Sequence, residues 1–518
     1  MEVRNISDIL RRSAERFPER PAVRDEDSTI SYKELYSKAQ GIATTLTDVR
    51  LKPVAVYLDK SAACIPVFWG IILSGGFYCP IDVEMPVERA VRILSVLKPD
   101  KVITDHANEE KLKKILLMLH DKEVEMLPKE SEGNDAGGRI NDKILLLENM
   151  ESLAGEPTGH IEFTGSDPMY TLFTSGSTGM PKGVTVPERV ILSYLTWLSE
   201  SFSFSENDVF GNQAPLYFDI SVHDIFGAAY FGACCDIIPP RYFAFPLKLM
   251  EYMNEHRIST FLWVPSAMTI CSQLKVFRAM KPMYLRHVMF AGEVLQGKVL
   301  SYWKDNLSDV VFANLYGPTE TFVSTAYICQ GNEDLSRPLP IGKAIKGSET
   351  LIFREDGTLA EKGEEGELCL RGDCLAMGYF GDRERTENSF TQNPIFQELP
   401  DRIYHTGDLV KELPDGNLEY ISRKDFQIKL KGYRIEPGEI EVAAASIPGV
   451  CEAAAIYEER KDRIVLFYSG EKQEGSTVMK ELELRLPQYM VPGKCCYLEA
   501  LPHNRNGKID RKALKEIL

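Results

Sequence analysis

The sequence predicts an α/β protein with a large, multi-lobed N-terminal domain and a small, mobile α+β domain at its C-terminal end. Amphipathic helical stretches alternate with short apolar strands over the first 100 residues, and such alternation is typical of α/β layers. The pattern resumes at Met169 and begins afresh after residue 425. The 518 residues also exceed what one hydrophobic core usually supports, so we expect more than one domain.

In chain order, the hydrophobic spacing predicts helices at residues 6–16 and 32–46, and strands at residues 54–58 and 101–104. A polar, glycine-containing stretch at residues 129–142 then predicts a surface excursion.

The uncharged run of residues 61–81 is long enough to cross a bilayer. It contains two prolines and three glycines, however, which break a membrane helix into pieces. We interpret it as a buried helix, a glycine turn and a strand, and expect no membrane association.

After Met169, an apolar strand at residues 170–173 leads into a loop of Gly, Ser and Thr, and a helix is predicted at residues 188–199. Short strands with turn signals at residues 351–379 predict a β-rich subdomain. The N-terminal domain is therefore expected to hold two αβ subdomains and this β-rich one.

A charged, glycine-containing stretch, SRKDFQIKLKGYRIEPG, follows at residues 422–438. We place a domain boundary at Asp425, giving an N-terminal core of residues 1–424. The C-terminal domain of residues 425–518 is large enough to fold alone.

The composition excludes several classes of protein. A net charge of −16, without basic clusters interleaved with aromatics, opposes nucleic-acid binding. The first residues, MEVRNISDIL, lack the apolar core of a signal peptide, so we expect a cytoplasmic protein. The 11 cysteines are scattered and the 8 histidines show no ligand spacing, so we expect reduced cysteines and no zinc or iron site held by protein side chains.

The loop TSGSTGMPKGV, residues 174–184, has the composition of a phosphate cradle. Its three glycines let backbone N–H groups converge on an anion, and its four hydroxyls and Lys182 add further donors. It does not fit the Walker pattern, because Lys182 is preceded by Pro181 and followed by Gly183. The residues alone predict bound phosphate, with a Gly/Ser surface turn as the alternative.

This loop resembles the signature of the adenylate-forming enzymes, the superfamily of acyl- and aryl-CoA synthetases, luciferases and adenylation domains of nonribosomal peptide synthetases. Further motifs of that superfamily follow in its usual order over nearly the whole chain. They are TISYKEL (29–35), GGFYCPIDVEMPVER (75–89), FDISV (218–222), NLYGPTE (314–320), GELCLRGDCLAMGY (366–379), YHTGD (404–408), RKDFQIKLKGYRIEPGEIE (423–441) and NGKIDRKAL (506–514).

The resemblance implies a site for ATP and Mg²⁺. It gives Tyr316 to the adenine face, Thr319 to the α-phosphate, Asp408 to both ribose hydroxyls and Glu320 to the metal, which prefers carboxylate oxygens. Lys508 and Thr174, with Glu320, are the expected catalytic residues, and Lys508 would stabilise the transition state at the α-phosphorus. The full ATP-binding set is Thr174, Ser175, Gly176, Ser177, Thr178, Gly179, Lys182, Asn314, Tyr316, Gly317, Thr319, Asp408, Arg423 and Lys508.

The resemblance also implies the substrate. In the amino-acid-activating branch, the aspartate of FDISV, here Asp219, pairs with the α-ammonium group, and a buried aspartate would be costly without such a partner. The pocket suggests a small neutral amino acid, with His223 and Ser324 permitting a hydroxyl or thiol. The substrate-binding set is Asp219, Ile220, His223, Trp263, Met289, Ala291, Gly292, Leu315, Val323 and Ser324.

Within this branch, the chain resembles both adenylation domains of nonribosomal peptide synthetases and D-alanine–carrier protein ligases. The D-alanine ligases carry a pocket cysteine where this chain has Ala291, which argues against D-alanine. The chain departs from the superfamily in two other places. Asn504 and Arg505 replace a Thr-Pro pair, and Pro187 and Glu188 stand where many relatives carry a histidine.

The acceptor is expected to be the phosphopantetheine thiol of a carrier protein, supplied in trans or by a removed downstream segment, since no carrier motif follows NGKIDRKAL. Carriers are usually acidic, and residues 426–518, with 15 Lys and Arg against 14 Asp and Glu, are the part of the chain that is not. This predicts docking on the C-terminal domain. The resemblance also implies that the C-terminal domain is mobile and rotates about a hinge at Asp425, bringing Lys508 to the α-phosphate in one state and the GYRIE face to the site in another.

Two rival functions remain open at this stage. An acyl- or aryl-CoA ligase would activate acids that lack an amine and would be indifferent to loss of Asp219. A non-catalytic nucleotide-binding relative would have degenerate loop, Glu320 or Lys508 positions, and all of these are intact.

Overall fold

The computed structural model describes residues 5–125, 142–151, 163–176, 179–503 and 509–518. The surface excursion predicted at residues 129–142 lies almost wholly outside these ranges. Within them, the chain forms an α/β protein, as the sequence predicts.

The first sheet has a parallel centre and an antiparallel end that carries the Gly/Ser/Thr loop. Its strands, in spatial order, are Gly378–Tyr379, Lys182–Pro187, Pro168–Thr174, Phe77–Pro80, Pro53–Tyr57, Lys101–Thr104 and Ile144–Leu146.

The second sheet is also parallel at its centre and antiparallel at its ends. Its strands, in spatial order, are Lys343–Ala344, Thr325–Ile328, Val311–Tyr316, His287–Phe290, Thr260–Trp263, Val209–Asn212, Cys234–Ile237, Pro21–Arg24 and Thr29–Ser31.

A third, antiparallel sheet forms the β-rich subdomain. Its strands are Ser348–Phe353, Glu365–Gly372, Arg402–Glu412 and Phe390–Gln392, with Leu418–Arg423 paired to Arg402–Glu412.

Helices cover these sheets and bury their apolar faces. Asn5 caps the helix Ile6–Arg16, and Ser31 with Glu34 forms a capping box on the helix Tyr32–Thr45. Among the described residues, the remaining α-helices of this part are Cys64–Leu73, Val87–Leu97, Glu109–Glu125, Leu147–Glu151, Glu188–Ser201, Ile220–Phe231, Pro246–Glu255, Pro265–Gln273, Gly297–Asn306 and Arg383–Ser389.

The uncharged run of residues 61–81 forms the buried helix Cys64–Leu73, a turn and the strand Phe77–Pro80. The turn needs glycine, because Gly75 has a φ of +80°. No helix in the described ranges is long and apolar enough to cross a membrane.

One large hydrophobic core extends from Ile6 to Leu418, and a separate core begins at Ile428. In this second core, a hairpin and two helices pack against one face of a sheet. They are the hairpin Ile428–Leu430/Tyr433–Ile435 and the helices Pro437–Ala445 and Gly475–Glu483. That sheet contains Val450–Glu458, Arg463–Gly470 and Lys494–Tyr497, and the helix Arg511–Glu516 contacts its other face. Asp425 lies between the two cores, and its role as a hinge stays a prediction.

Candidate active site

The Gly/Ser/Thr loop joins two antiparallel strands, in which Thr174 is the register partner of Lys182. A Cβ atom at Gly176 would lie 1.9 Å from the carbonyl oxygen of Met180, so only glycine fits there. The hydroxyl of Thr174 is buried and has no hydrogen-bond partner among the described residues. A narrow backbone turn with a spare donor suits a phosphate oxygen. Ser177 and Thr178, predicted to bind phosphate, lie outside the described residues.

Glu320 lies just beyond the strand Val311–Tyr316, fully buried beside this loop. Tyr379 donates its hydroxyl to Oε1 at 2.7 Å, and Arg434 Nη1 donates to Oε2 at 2.5 Å. Burial would raise the pKa of Glu320, but the Arg434 guanidinium and the Lys182 ammonium lower it to about 2. A buried, ionised carboxylate is a suitable oxygen ligand for Mg²⁺.

Lys182 is also buried, with Nζ 3.2 Å from Glu436 Oε1 and 5.6 Å from the centroid of the Tyr379 ring. Burial lowers the pKa of this lysine.

The residues that the resemblance assigns to the nucleoside form one hydrogen-bonded group. Tyr316 donates its hydroxyl to Asp408 Oδ2 at 2.5 Å, and Arg423 Nη1 donates to Asp408 Oδ1 at 2.8 Å. Adjacent strands hold this pair, since Asp408 and Arg423 are register partners. Asn314 instead donates its side chain to the carbonyl of Pro340 at 2.9 Å.

Gly317 allows a tight loop after the strand Val311–Tyr316. A Cβ atom at Gly317 would lie 1.5 Å from the carbonyl oxygen of Phe322. Phe322 itself has a φ of +53°. This loop carries Thr319 and Glu320 and brings Ser324 back to Tyr316, where Ser324 N donates to the carbonyl of Tyr316 at 2.8 Å.

Asp219 lies at the start of the helix Ile220–Phe231, and its Oδ1 accepts from its neighbour's amide, Ile220 N, at 2.8 Å. The nearby Thr319 side chain opposes the effect of burial on the pKa of Asp219, which links this position to the Glu320 loop. Burial raises the pKa of Asp219. Among the residues that the structure describes, no cationic group lies within ion-pair distance of this carboxylate.

His223 lies one helical turn beyond Asp219 and is fully buried. Its Nδ1 is 2.7 Å from the hydroxyl oxygen of Tyr194. Nε2 has no hydrogen-bond partner among the described residues and lies 4.0 Å from Asp224 Oδ1. Burial lowers the pKa of His223 to about 3, so the ring is neutral at physiological pH.

The other predicted pocket residues are apolar or already hydrogen-bonded. Trp263 donates its indole N–H to the carbonyl of Gly211 at 2.9 Å, and Ser324 donates its hydroxyl to Thr321. Gly292 has a φ of +90°, and the space beside it borders Ile220 and Val264. The remaining members of the set are apolar and buried: Ile220, Met289, Ala291, Leu315 and Val323.

The hairpin of the C-terminal domain, residues 428–435, docks on this site. Ser175 donates its hydroxyl to the carbonyl of Arg434 at 2.8 Å and accepts from Glu436 N at 3.0 Å. Gly432 N donates to Glu293 Oε1 at 2.7 Å. Farther out, Arg89 forms a buried ion pair with Glu439.

Several residues of this interface were not assigned from the sequence. Lys429 Nζ lies 4.0 Å from Asp408 Oδ2 and 5.6 Å from the Tyr316 ring centroid. Arg434, Glu436 and Glu293 were likewise missed. The motif RKDFQIKLKGYRIEPGEIE contains three of them and was the available signal, but it does not say which groups they meet.

Lys508 lies outside the described residues. His503 and Ile509 on either side of it pair as a bridge. His503 contacts Glu452, and Arg511 contacts Glu441 and the carbonyl of Ala455. These contacts lie within the C-terminal domain.

Glu188, one of the two residues that stand where many relatives carry a histidine, is fully buried at the start of the helix Glu188–Ser201. Its Oε1 accepts from Ile6 N, and thereby ties this helix to the first helix of the chain. Burial raises the pKa of Glu188 to about 7.

Comparison of the sequence with family models places most of the chain among the AMP-binding enzymes. The family model for AMP-binding enzymes matches residues 10–380, and the model for the AMP-binding enzyme C-terminal domain matches residues 439–508.

The chain is 32% identical to the L-proline--[L-prolyl-carrier protein] ligase of Pseudomonas fluorescens over 523 residues, covering 98% of each protein. It is also 32% identical to a mycosubtilin synthase polypeptide of Bacillus subtilis over 531 residues, covering 99% of this chain but only 19% of that longer relative. The adenylation domain AlmE of Vibrio cholerae, solved with glycyl-adenosine-5'-phosphate, has a similar fold. That comparison gives a TM-score of 0.82 at 23% identity and covers 100% of this chain and 98% of AlmE.

Proposed function

The chain belongs to the AMP-binding enzymes and is an AMP-forming ligase of the adenylation-domain type, and from this premise we propose that its substrate is an amino acid. The reaction joins the amino acid carboxylate to the α-phosphorus of ATP, giving aminoacyl-AMP and pyrophosphate. The aminoacyl group then passes to the phosphopantetheine thiol of a carrier protein, with release of AMP.

One observation carries the choice of an amino acid. Asp219 is a carboxylate in a low-dielectric site that accepts from Ile220 N but has no cation within ion-pair distance among the described residues. A substrate ammonium group would supply that cation and restore the charge balance. A carboxylic acid that lacks an amine has no group that could do so.

On the nucleotide side, the loop at Thr174 and Gly176 would hold phosphate oxygens by backbone N–H groups and the spare Thr174 hydroxyl. Asp408, oriented by Tyr316 and Arg423, would accept both ribose hydroxyls.

Glu320 would hold Mg²⁺ together with the phosphates. When bound, the ion neutralises charge on the phosphate oxygens and helps pyrophosphate to leave. Lys508 remains our prediction for the residue that stabilises the developing charge at the α-phosphorus.

The pocket beyond Asp219 favours a small, neutral side chain. His223 is neutral, and the Ser324 hydroxyl already has a partner in Thr321. Met289 and Leu315 supply apolar walls. A charged substrate side chain would remain uncompensated in such surroundings.

The docked hairpin supports a two-state reaction. In the described arrangement the GYRIE segment faces the site, and the hydrogen bonds from His503 to Glu452 and from Arg511 to Glu441, on either side of Lys508, lie within their own domain. We assign this arrangement to transfer, and a second one, reached by rotation at Asp425, to adenylation.

We place the carrier on the C-terminal domain. Residues 426–518 carry a net charge of +1, whereas the upstream part carries −17, so an acidic partner is attracted to the former. The name of the Pseudomonas fluorescens relative, a ligase for a prolyl-carrier protein, agrees with such a partner.

Pyrophosphate exchange over a panel of L- and D-amino acids, fatty acids and aryl acids tests the proposal. We expect exchange with one or a few small neutral amino acids. Exchange with acids that lack an amine would instead identify an acyl- or aryl-CoA ligase, and no exchange with any amino acid would refute the main proposal.

A further inference from the structure

The strand Arg402–Glu412 bulges at residues 406–408, the point from which Asp408 reaches the nucleoside group. Its pairing with the strand Glu365–Gly372 shifts register just after Glu367, so residues 406–408 have no regular partner on that strand. A β-bulge beside a binding site turns a side chain away from the regular alternation of the strand. The bulge therefore sets the direction of the Asp408 carboxylate.

The bulge leaves backbone groups without ladder partners, and Glu367 satisfies one of them. Its Oε1 accepts from Gly407 N at 3.2 Å. The next amide, Asp408 N, donates to Thr406 Oγ1 at 3.0 Å. A buried N–H group without such a partner is destabilising. Gly407 also has a φ of +71°, which glycine adopts readily, so the bulge depends on this residue and on the acceptor that Glu367 supplies.

The same carboxylate fixes the chain just before the proposed hinge. Glu367 Oε2 lies 3.2 Å from Lys424 Nζ, and Lys424 N donates to the carbonyl of Gly407 at 2.8 Å. Gly407 is thus held at its N–H by Glu367 and at its carbonyl by the residue next to Asp425. Burial would raise the pKa of Glu367, but His405 and Lys424 beside it lower the value to about 2, so the carboxylate is ionised at physiological pH.

We propose that Glu367 is a positioning residue for nucleotide binding: it holds the bulge that directs Asp408 at the ribose hydroxyls, and it ties that bulge to the start of the hinge. Glu367 acts through Gly407. It lies in the motif GELCLRGDCLAMGY but outside the ATP-binding set that the resemblance assigns. The inference rests on the proposed function in assigning Asp408 to the ribose.

The preference for ATP over 2′-deoxy-ATP tests this on the full chain without any amino acid. A hydroxyl that donates to a carboxylate should give the wild type about tenfold to hundredfold tighter binding of Mg²⁺·ATP than of Mg²⁺·2′-deoxy-ATP, measured by calorimetry. Glu367→Met keeps the length of the side chain but has no oxygen that accepts from Gly407 N. We expect this variant to lose roughly fivefold or more of the preference. A general loss of structure would instead weaken the binding of both nucleotides by the same factor.

Two further substitutions at this position and one control sharpen the test. Glu367→Gln retains an oxygen that can accept from Gly407 N and should keep most of the preference. Glu367→Ala repeats the test if the methionine variant does not fold. Glu349→Met is the matched control, because Glu349 lies on the neighbouring strand of the same sheet and pairs with Arg371 rather than with the bulge.

A preference for ATP that survives unchanged in Glu367→Met and Glu367→Ala would overturn the inference. The Asp408→Asn variant separates this failure from that of the proposed function. If Asp408→Asn loses the preference while both Glu367 variants keep it, only the positioning role of Glu367 is wrong. If Asp408→Asn keeps the preference, or the wild type has none, the assignment of Asp408 to the ribose is wrong and the inference fails with it.

Discussion

Replacing Asp219 with asparagine separates the charge of this residue from its geometry. An asparagine Oδ1 can still accept from Ile220 N, so the start of the helix Ile220–Phe231 is expected to persist. The variant loses only the negative charge that would meet the substrate ammonium group.

The expected loss follows from the surroundings of the carboxylate. Truncating one partner of a buried charge pair typically costs about 2–5 kcal/mol. Asp219 is half-buried, and Glu320 contributes a second negative charge nearby, so we take about 3 kcal/mol, or roughly a hundredfold in kcat/KM for the amino acid. Binding of Mg²⁺·ATP should be unchanged.

The raised pKa of Asp219 adds a pH signature. In the free enzyme this carboxyl binds its proton at a higher pH than an ordinary aspartate, whose value is 3.8. As the pH falls through this raised pKa, the Asp219 carboxylate of the wild type becomes protonated and no longer carries the charge that pairs with the substrate ammonium group. The kcat/KM for the amino acid then declines. The asparagine variant should lack this part of the decline.

Pyrophosphate exchange with varied amino acid and, separately, varied ATP measures both effects. Asp224→Asn is a suitable control, because Asp224 lies on the same helix but accepts from the side chain of Asn212. Equal kcat/KM for the amino acid in wild type and Asp219→Asn would refute the assignment of Asp219 to the ammonium group.

Three further outcomes are expected. Glu188→Gln should make thermal stability less dependent on pH. The pKa of Glu188 is raised from 4.5 to about 7, so the folded state favours the protonated carboxyl. The free energy of unfolding of the wild type should therefore fall by about 3 kcal/mol as the pH rises from 4.5 to 7, and by no more above pH 7. Melting curves at pH 5 and 8 check this, and an equal pH dependence in the variant would contradict it. Gly432→Ala should preserve pyrophosphate exchange but impair transfer, because φ is +81° and a Cβ atom would lie 2.4 Å from Val264 in the docked state. Asp425→Pro should likewise spare exchange and damage transfer to the carrier, since proline fixes φ at the hinge; equal loss of both half-reactions would place the hinge elsewhere.

Local features of the fold could be predicted from the sequence because they depend on spacing and composition. The helix Ile6–Arg16 has the predicted bounds, and the interrupted apolar run became the helix Cys64–Leu73 followed by a turn and a strand. Helix ends were less accurate: the helix predicted at residues 188–199 extends to Ser201.

Contacts between distant segments could not be predicted from the same signals. Glu188 meets Ile6 across 182 residues, and Arg434 meets Glu320 across 114. The separation of each pair along the sequence does not indicate that its members are in contact. The order of strands in the sheets and the docking of the second domain bring them together. The motifs identified which segments belong to the site, whereas the structure shows which of their groups meet.

The charges of the site suggest how the substrates are ordered. Three carboxylates of the site are assigned to ligands, those of Asp219, Glu320 and Asp408, and each needs a compensating cation in a poorly solvated place. In the described arrangement, Arg423 and Lys429 form ion pairs with Asp408, and Arg434 forms one with Glu320. Among the described groups, Asp219 alone of the three lacks an ion-pair partner. The amino acid can therefore pair with a carboxylate that has no ion-pair partner. Magnesium, in contrast, must first displace Arg434 from Glu320. We therefore expect nucleotide binding, rather than amino acid binding, to drive the hairpin from the site.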